Sequence, residues 1–129
     1  MVLALVTGAS SGIGKAIAVQ LSRSGISVLA VARRADHLTA TQAAGAPGLI
    51  TPVPADVTTP AGLDAIASAV AAAGGAVDFV VQNAGAIGQI GPAAGLDADR
   101  WRETFAVNVD APLRVVQQLV GAGALGFGA

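Results

Sequence analysis

The chain has 129 residues, a length that suits one domain, and 53% of them are apolar, enough for a sizeable core. A formal net charge of −1 gives no pull toward nucleic acid or an anionic membrane. Cysteine is absent, which removes disulfides, thiolate nucleophiles and cysteine-based metal sites; His37 is the only histidine, which excludes a multi-histidine metal centre. Tyrosine is absent too and Lys15 is the only lysine, so no mechanism that needs a tyrosine acid runs on this chain alone.

The N-terminal run Val2–Val6 is apolar but has no basic flank and passes straight into glycines, unlike a targeting segment. The weakly apolar stretch 65–77 is too short and too rich in alanine and glycine to span a bilayer. The expectation is a soluble, cytoplasmic protein with no membrane and no nucleic-acid partner.

In chain order, "VLALV" (2–6) reads as a buried strand. Ile13–Ser24 reads as a helix, with Ile13, Ile17 and Leu21 four apart on one face, ended by Gly25. "ISVLAVA" (26–32) is a second strand. Asp36 is expected to cap a short helix running to about Ala44, ended by Gly45 and Pro47. "LITPVPADV" (49–57) is a third strand, and Pro52 and Pro54, which lack a ladder donor, place it at a sheet edge. Thr59 before Pro60 is a helix start, and that helix ends at Gly74–Gly75. "VDFVVQ" (77–82) is a fourth strand and 86–96 a loop. Asp97 then caps a long helix from about Ala98 to Val120. The glycine-rich stretch after it, 121–129, does not read as a fifth strand. Strands alternating with helices of this size imply right-handed crossovers, hence an α/β Rossmann-type doubly wound parallel sheet with helices on both faces, in one domain over 1–129.

"TGASSGIG" (Thr7–Gly14) joins the first strand to the first helix. A glycine-rich turn there is a phosphate cradle, because the helix start exposes unpaired N–H groups and glycines let the backbone approach the phosphates. The spacing excludes a P-loop: Gly14–Lys15 is followed by Ala16, and Ala9 stands where its first glycine belongs. It also excludes G-x-G-x-x-G, since Ile17 occupies the last glycine position. What remains is T-G-x-x-x-G-x-G. With it come "DV" (56–57) after the third strand, "NAG" (83–85) after the fourth, and "FAVNV" (105–109) in the last helix. In this set, covering residues 1 to about 120, the chain resembles the short-chain dehydrogenase/reductase family. One departure is Gln82, where the family has a first Asn.

The resemblance implies strand order 3-2-1-4 for this portion and a nicotinamide dinucleotide on Thr7, Gly8, Ser10, Ser11, Gly12, Ile13, Gly14, Asp56, Val57, Asn83, Ala84 and Gly85, with Asp56 at the adenine. An acidic residue closing the second strand would select NAD; Ala32 stands there, followed by Arg33 and Arg34. A planar guanidinium suits the 2′-phosphate, so NADP(H) is the expected cofactor, with NAD(H) possible. The other reading of this pair is two solvated arginines opening a helix. His37, just beyond, reads as a surface residue, and Lys15 as solvated.

Asn108 is the one member of the family's catalytic tetrad that the resemblance places in this chain; there the matching Asn sits in a bent helix and orders a water in a proton relay. Pro112 supports such a bend, because it has no N–H for the carbonyl of residue 108. Trp101, Phe105, Val109, Leu113, Val116 and Val120 form an apolar stripe along this helix. The family's Ser and Tyr-x-x-x-Lys lie after the positions covered here. The expectation is therefore the cofactor-binding half of an NADP(H)-dependent oxidoreductase acting on a small-molecule carbonyl or alcohol, inactive by itself. The alternatives are a non-catalytic NADP(H)-binding module or an inactive truncated member. The stripe, a usual oligomer surface in the family, and the fourth strand left at an edge lead to an expected homo-oligomer.

Overall fold

The computed structural model describes residues 1–125; the last part of the glycine-rich terminus, 126–129, lies outside the described residues. Four parallel strands form one sheet: β1 (Leu3–Thr7), β2 (Ser27–Ala32), β3 (Ile50–Pro54) and β4 (Phe79–Val81), in the order β3-β2-β1-β4. Leu5 is the register point of the centre, opposite Leu29 on one side and Val80 on the other. β1 is buried along its whole length. Both of its faces are covered, so its sequence is a continuous apolar run rather than an alternating one. β3 lies at an edge, where its two prolines leave no central ladder bond unmade.

Helices cover both faces. Against one pack α1 (Gly12–Arg23) and α2 (Ala35–Ala44), around Val6, Ala18, Val28, Leu38 and Ile50. Against the other pack α3 (Pro60–Ala72) and α5 (Ala111–Gly121), through Leu63, Ile66 and Val70 from the first and Ala111, Val115 and Leu119 from the second. α4 (Ala98–Phe105) precedes α5, with a π-helical turn (Ala106–Asp110) between them. Two helix starts follow the expected capping. The Thr59 hydroxyl accepts from the Gly62 N–H at 3.0 Å, and the Asp97 carboxylate accepts from the N–H groups of Asp99 and Arg100 at 2.9 and 3.0 Å.

Three expectations are corrected. Asp36 does not cap α2: Arg34, extended at φ −96° and ψ 107°, takes the N-cap position and Asp36 falls inside the first turn. The helix starts two residues early because the Arg34 carbonyl already accepts from the Leu38 N–H. The 98–120 helix is not continuous; it breaks, as Pro112 requires, through a π turn in which the Ala111 N–H reaches back to the Ala106 carbonyl. The strand expected over 77–82 is ordered as β only over Phe79–Val81.

The Trp101 stripe faces outward. Trp101 is 52% exposed, Leu113 60% and Val120 53%, while the narrower row Ala111, Val115 and Leu119 meets the core. β4, at the other edge of the sheet, leaves Phe79 52% exposed.

Candidate functional site

The strand ends at one side of the sheet surround an open cleft of about 530 Å³. It is bordered by Gly8, Ser10 and Ser11 after β1, Arg33 and Arg34 after β2, Asp56 and Val57 after β3, and Asn83, Ala84 and Gly85 after β4. Segments far apart in sequence meet there because every strand of a parallel sheet ends on the same side.

The first turn explains its glycines one by one. Gly8 at φ +65° and Gly12 at φ +56° occupy the left-handed region. Gly14 is the close approach: a Cβ there would collide with the Gly8 carbonyl and the Asn83 side-chain amide. Above Gly12 nothing lies within 4 Å. At the head of α1, Ser11 takes the N-cap position with an extended backbone, and its side chain makes no capping bond, so the first-turn N–H groups are left for another acceptor. No acidic residue lies in that turn. A dinucleotide pyrophosphate fits this donor set in charge and in access.

Thr7 does not face the cleft. It is 1% exposed, and its hydroxyl accepts from the N–H groups of Asn83 and Ala84 at 3.1 and 3.0 Å. Thr7 therefore fixes the turn after β4, while Asn83 in return donates its amide to the Gly8 carbonyl at 3.2 Å. The loops after β1 and β4 are thereby tied together. Gln82, the departure from the family's first Asn, donates to the Pro112 carbonyl at 3.0 Å and links β4 to the start of α5.

Asp56 accepts from both the hydroxyl and the N–H of Thr58, at 2.6 and 2.9 Å. These bonds hold its carboxyl below the ordinary carboxylate value; burial opposes them, and the Arg33 charge adds the smallest lowering influence. Asp56 is thus a fixed anion in the cleft. Arg33 and Arg34 are exposed at the end of β2, free of the ion pairs seen among the described residues, which are His37–Asp36 and Arg102–Asp99.

Ile13 is 74% exposed, and Gly12, Ile13 and Gly14, at the head of α1, are not among the residues that border the cleft. Asn108 sits in the π turn. Its side chain makes a reciprocal pair with one residue of the loop after β4: Oδ1 accepts from the Ala86 N–H at 2.8 Å and Nδ2 donates to the Ala86 carbonyl at 2.7 Å. Both the oxygen and the nitrogen of the side-chain amide take part in holding that loop.

Five further cleft-lining groups were not foreseen: Val31, Ala55, Glu103, Ala106 and Val107. The last three come from α4 and the π turn, which cross over the strand ends. Their spacing of three and four on a helix, next to Asn108, is the signal that would have found them. Thr58 was also missed; a hydroxyl two residues after an Asp is an Asx-turn partner.

No helix of the described residues is long and apolar enough to cross a membrane. The family model described as "short chain dehydrogenase" matches residues 2–122. A short chain dehydrogenase of Aspergillus terreus is 35% identical over 119 residues, covering 89% of this chain and 26% of that protein. D-threitol dehydrogenase of Mycolicibacterium smegmatis is 37% identical over 117 residues, covering 89% and 45%. Among solved structures, L-sorbose reductase from Gluconobacter frateurii, complexed with NADPH and L-sorbose, superposes with a TM-score of 0.84 at 32% identity, over 93% of this chain and 46% of that one. A metagenomic short-chain oxidoreductase in complex with NADP gives 0.84 at 34% identity, over 94% and 56%. The chain spans less than half the length of these two curated relatives. On the strength of the family match, the strand order and the glycine turn together, the chain belongs to the short-chain dehydrogenase family of oxidoreductases.

Proposed function

We propose that this chain is the dinucleotide-binding portion of an NADP(H)-dependent oxidoreductase acting on a small-molecule carbonyl or alcohol. The observation that carries the reading is the meeting, around one cleft, of the bare first turn (Gly8, Ser10, Ser11) with the guanidinium pair Arg33 and Arg34. The first turn accommodates a pyrophosphate and the arginines a 2′-phosphate. Ala32, at the end of β2, offers no carboxylate to the ribose hydroxyl that NAD presents instead. Asp56 and Val57 border the adenine end, and Asn83–Gly85 form the floor. That two related structures carry NADPH or NADP supports the same choice.

When bound, the nicotinamide supplies or accepts the hydride. The chain's part is to bind and orient. With its side-chain amide committed to Ala86, Asn108 offers its main-chain carbonyl, from which Pro112 withholds the usual donor, to a water that relays the proton. No tyrosine is present to donate that proton to a carbonyl oxygen. The expected result is saturable binding of NADPH, read by its fluorescence, with no NADPH consumed against a panel of aldehydes and ketones. Absence of binding by the folded chain overturns the reading; turnover by the chain alone overturns the assignment of a binding portion.

The outward stripe gives this portion a second copy of itself as partner. Trp101 and Phe105, whose rings lie 5.1 Å apart, and the half-exposed Val109 and Leu113 cover the same side of α4, the π turn and α5. Replacing Trp101 and Leu113 together by Glu and Lys is expected to convert a dimer or larger species to monomer in sedimentation velocity, with the melting temperature little changed, because neither side chain is in the core. A wild-type chain that sediments as a monomer at about 100 μM removes this partner, since interfaces of ordinary size give μM affinities or better.

A further inference from the structure

Glu103 is the one charged group in the cleft that the dinucleotide reading leaves without a task. It lies on α4, exposed, and borders the main cleft together with Arg33 and Arg34. It also borders a smaller adjoining space of about 240 Å³, which it shares with Arg33 and Arg100. Arg33 and Glu103 are the two charged residues common to both spaces. Both side chains border this smaller space as well as the main cleft, so they share one end of the site. No direct ion pair within 4.0 Å joins them among the described residues, where the pairs are His37–Asp36 and Arg102–Asp99.

We propose that Glu103 is a cofactor-specificity residue: its carboxylate, which borders the same two spaces as Arg33, opposes the 2′-phosphate of NADP and so weakens the preference for the phosphorylated dinucleotide. The proposal rests on the reading of Arg33 as the 2′-phosphate partner. A phosphate monoester brings up to two negative charges to that guanidinium, and Glu103 repels them at short range. NAD brings only a hydroxyl to the same place. The pyrophosphate is common to both dinucleotides, so the ratio of their affinities isolates the effect at the ribose. The other anion of the cleft, Asp56, is engaged by the Thr58 hydroxyl and N–H, whereas Glu103 stands in the space that Arg33 itself borders. Arg100, three residues before Glu103 on the same helix, borders the same small space and works against this field.

The test is calorimetric titration of the chain with NADP and with NAD, comparing wild type, Glu103→Gln, Glu103→Lys and Arg33→Ala. At low salt, Glu103→Gln is expected to raise the NADP-to-NAD affinity ratio about three- to tenfold and Glu103→Lys to raise it further. The effect shrinks as ionic strength rises from about 0.05 to 0.5 M, a dependence that a purely structural role for Glu103 would not produce. Both variants fold, because the side chain is exposed. If Arg33→Ala lowers the ratio and neither Glu103 variant moves it at low salt, Glu103 has no such role and the reading of Arg33 stands. If Arg33→Ala leaves the ratio unchanged, or wild type binds neither dinucleotide, both fall.

Discussion

Gly14→Ala is expected to lower the chain's stability by about 1–3 kcal/mol, the range found when a methyl group is forced into a filled space. A Cβ at this position meets backbone: the Gly8 carbonyl carbon would lie 2.8 Å away and its oxygen closer still. A flexible side chain could swing aside, but Gly8 cannot. It follows directly on the buried β1, and the Asn83 amide, itself in the path of the new methyl group, bonds its carbonyl. Relief comes only by moving the first turn of α1 off the end of β1. That movement takes the first-turn N–H groups away from the cleft, so NADPH affinity falls by at least about tenfold as well. A thermal melt and a fluorescence titration check the two parts.

Gly12→Ala separates them. Gly12 has a left-handed φ of +56°, which costs an alanine about 1–2 kcal/mol. The space around it is open, with nothing within 4 Å, so no packing penalty adds to this. Its methyl group stands over the head of the helix, where the pyrophosphate is to lie. Gly12→Ala is therefore expected to stay folded yet lose dinucleotide affinity, whereas Gly14→Ala loses both. A Gly14→Ala chain with the wild-type melting temperature would contradict the crowding seen between the first turn and Asn83.

The parts of this fold that could be read from sequence are those governed by local chemistry. Covered parallel strands announce themselves as apolar runs, which is why "VLALV" and "SVLAVA" were found. Pro52 and Pro54 named an edge because a proline has no donor for a central ladder. Thr59 and Asp97 named two helix starts by their oxygens. Asp36 failed as a cap because a capping residue needs the right backbone as well as the right side chain, and Arg34 takes the extended conformation first.

What stayed hidden is tertiary. Pro112 foretold a break in the last helix but not its form, since a kink and a π turn both accommodate a missing donor. Periodicity showed the stripe from Trp101 to Val120, yet the row Ala111, Val115 and Leu119 is also apolar at helical spacing, and the rows differ only in which one fits against α3 and the sheet. The smaller side chains lie inside, leaving the large ones outside. Glu103, Ala106 and Val107 reach the cleft only because α4 and the π turn cross the strand ends, and the loop that allows this is fixed by Asn108 gripping Ala86 across 22 residues of sequence.

Replacing Arg33 by Asp is expected to invert the dinucleotide preference, with NADP affinity falling about 10- to 100-fold, as expected when a charge-assisted contact worth about 1.5–3 kcal/mol is lost. Repulsion between the new carboxylate and the 2′-phosphate adds to that loss. Affinity for NAD is expected to hold or rise, since an acidic side chain beside Ala32 can accept from the ribose hydroxyl. The fold tolerates the change: Arg33 is exposed, makes no ion pair among the described residues, and lies between β2 and α2 rather than within either. One local consequence accompanies it. Arg33 helps hold the Asp56 carboxyl low, so a second anion at position 33 raises the Asp56 pKa toward its ordinary value, although the Thr58 bonds remain as the larger influence. Binding to both dinucleotides is read by calorimetry at one salt concentration, because the 2′-phosphate contact is charge-dependent. An Arg33→Asp chain that binds NADP as tightly as wild type would return Arg33 to the solvated surface and leave the phosphorylated cofactor without its reader in this cleft.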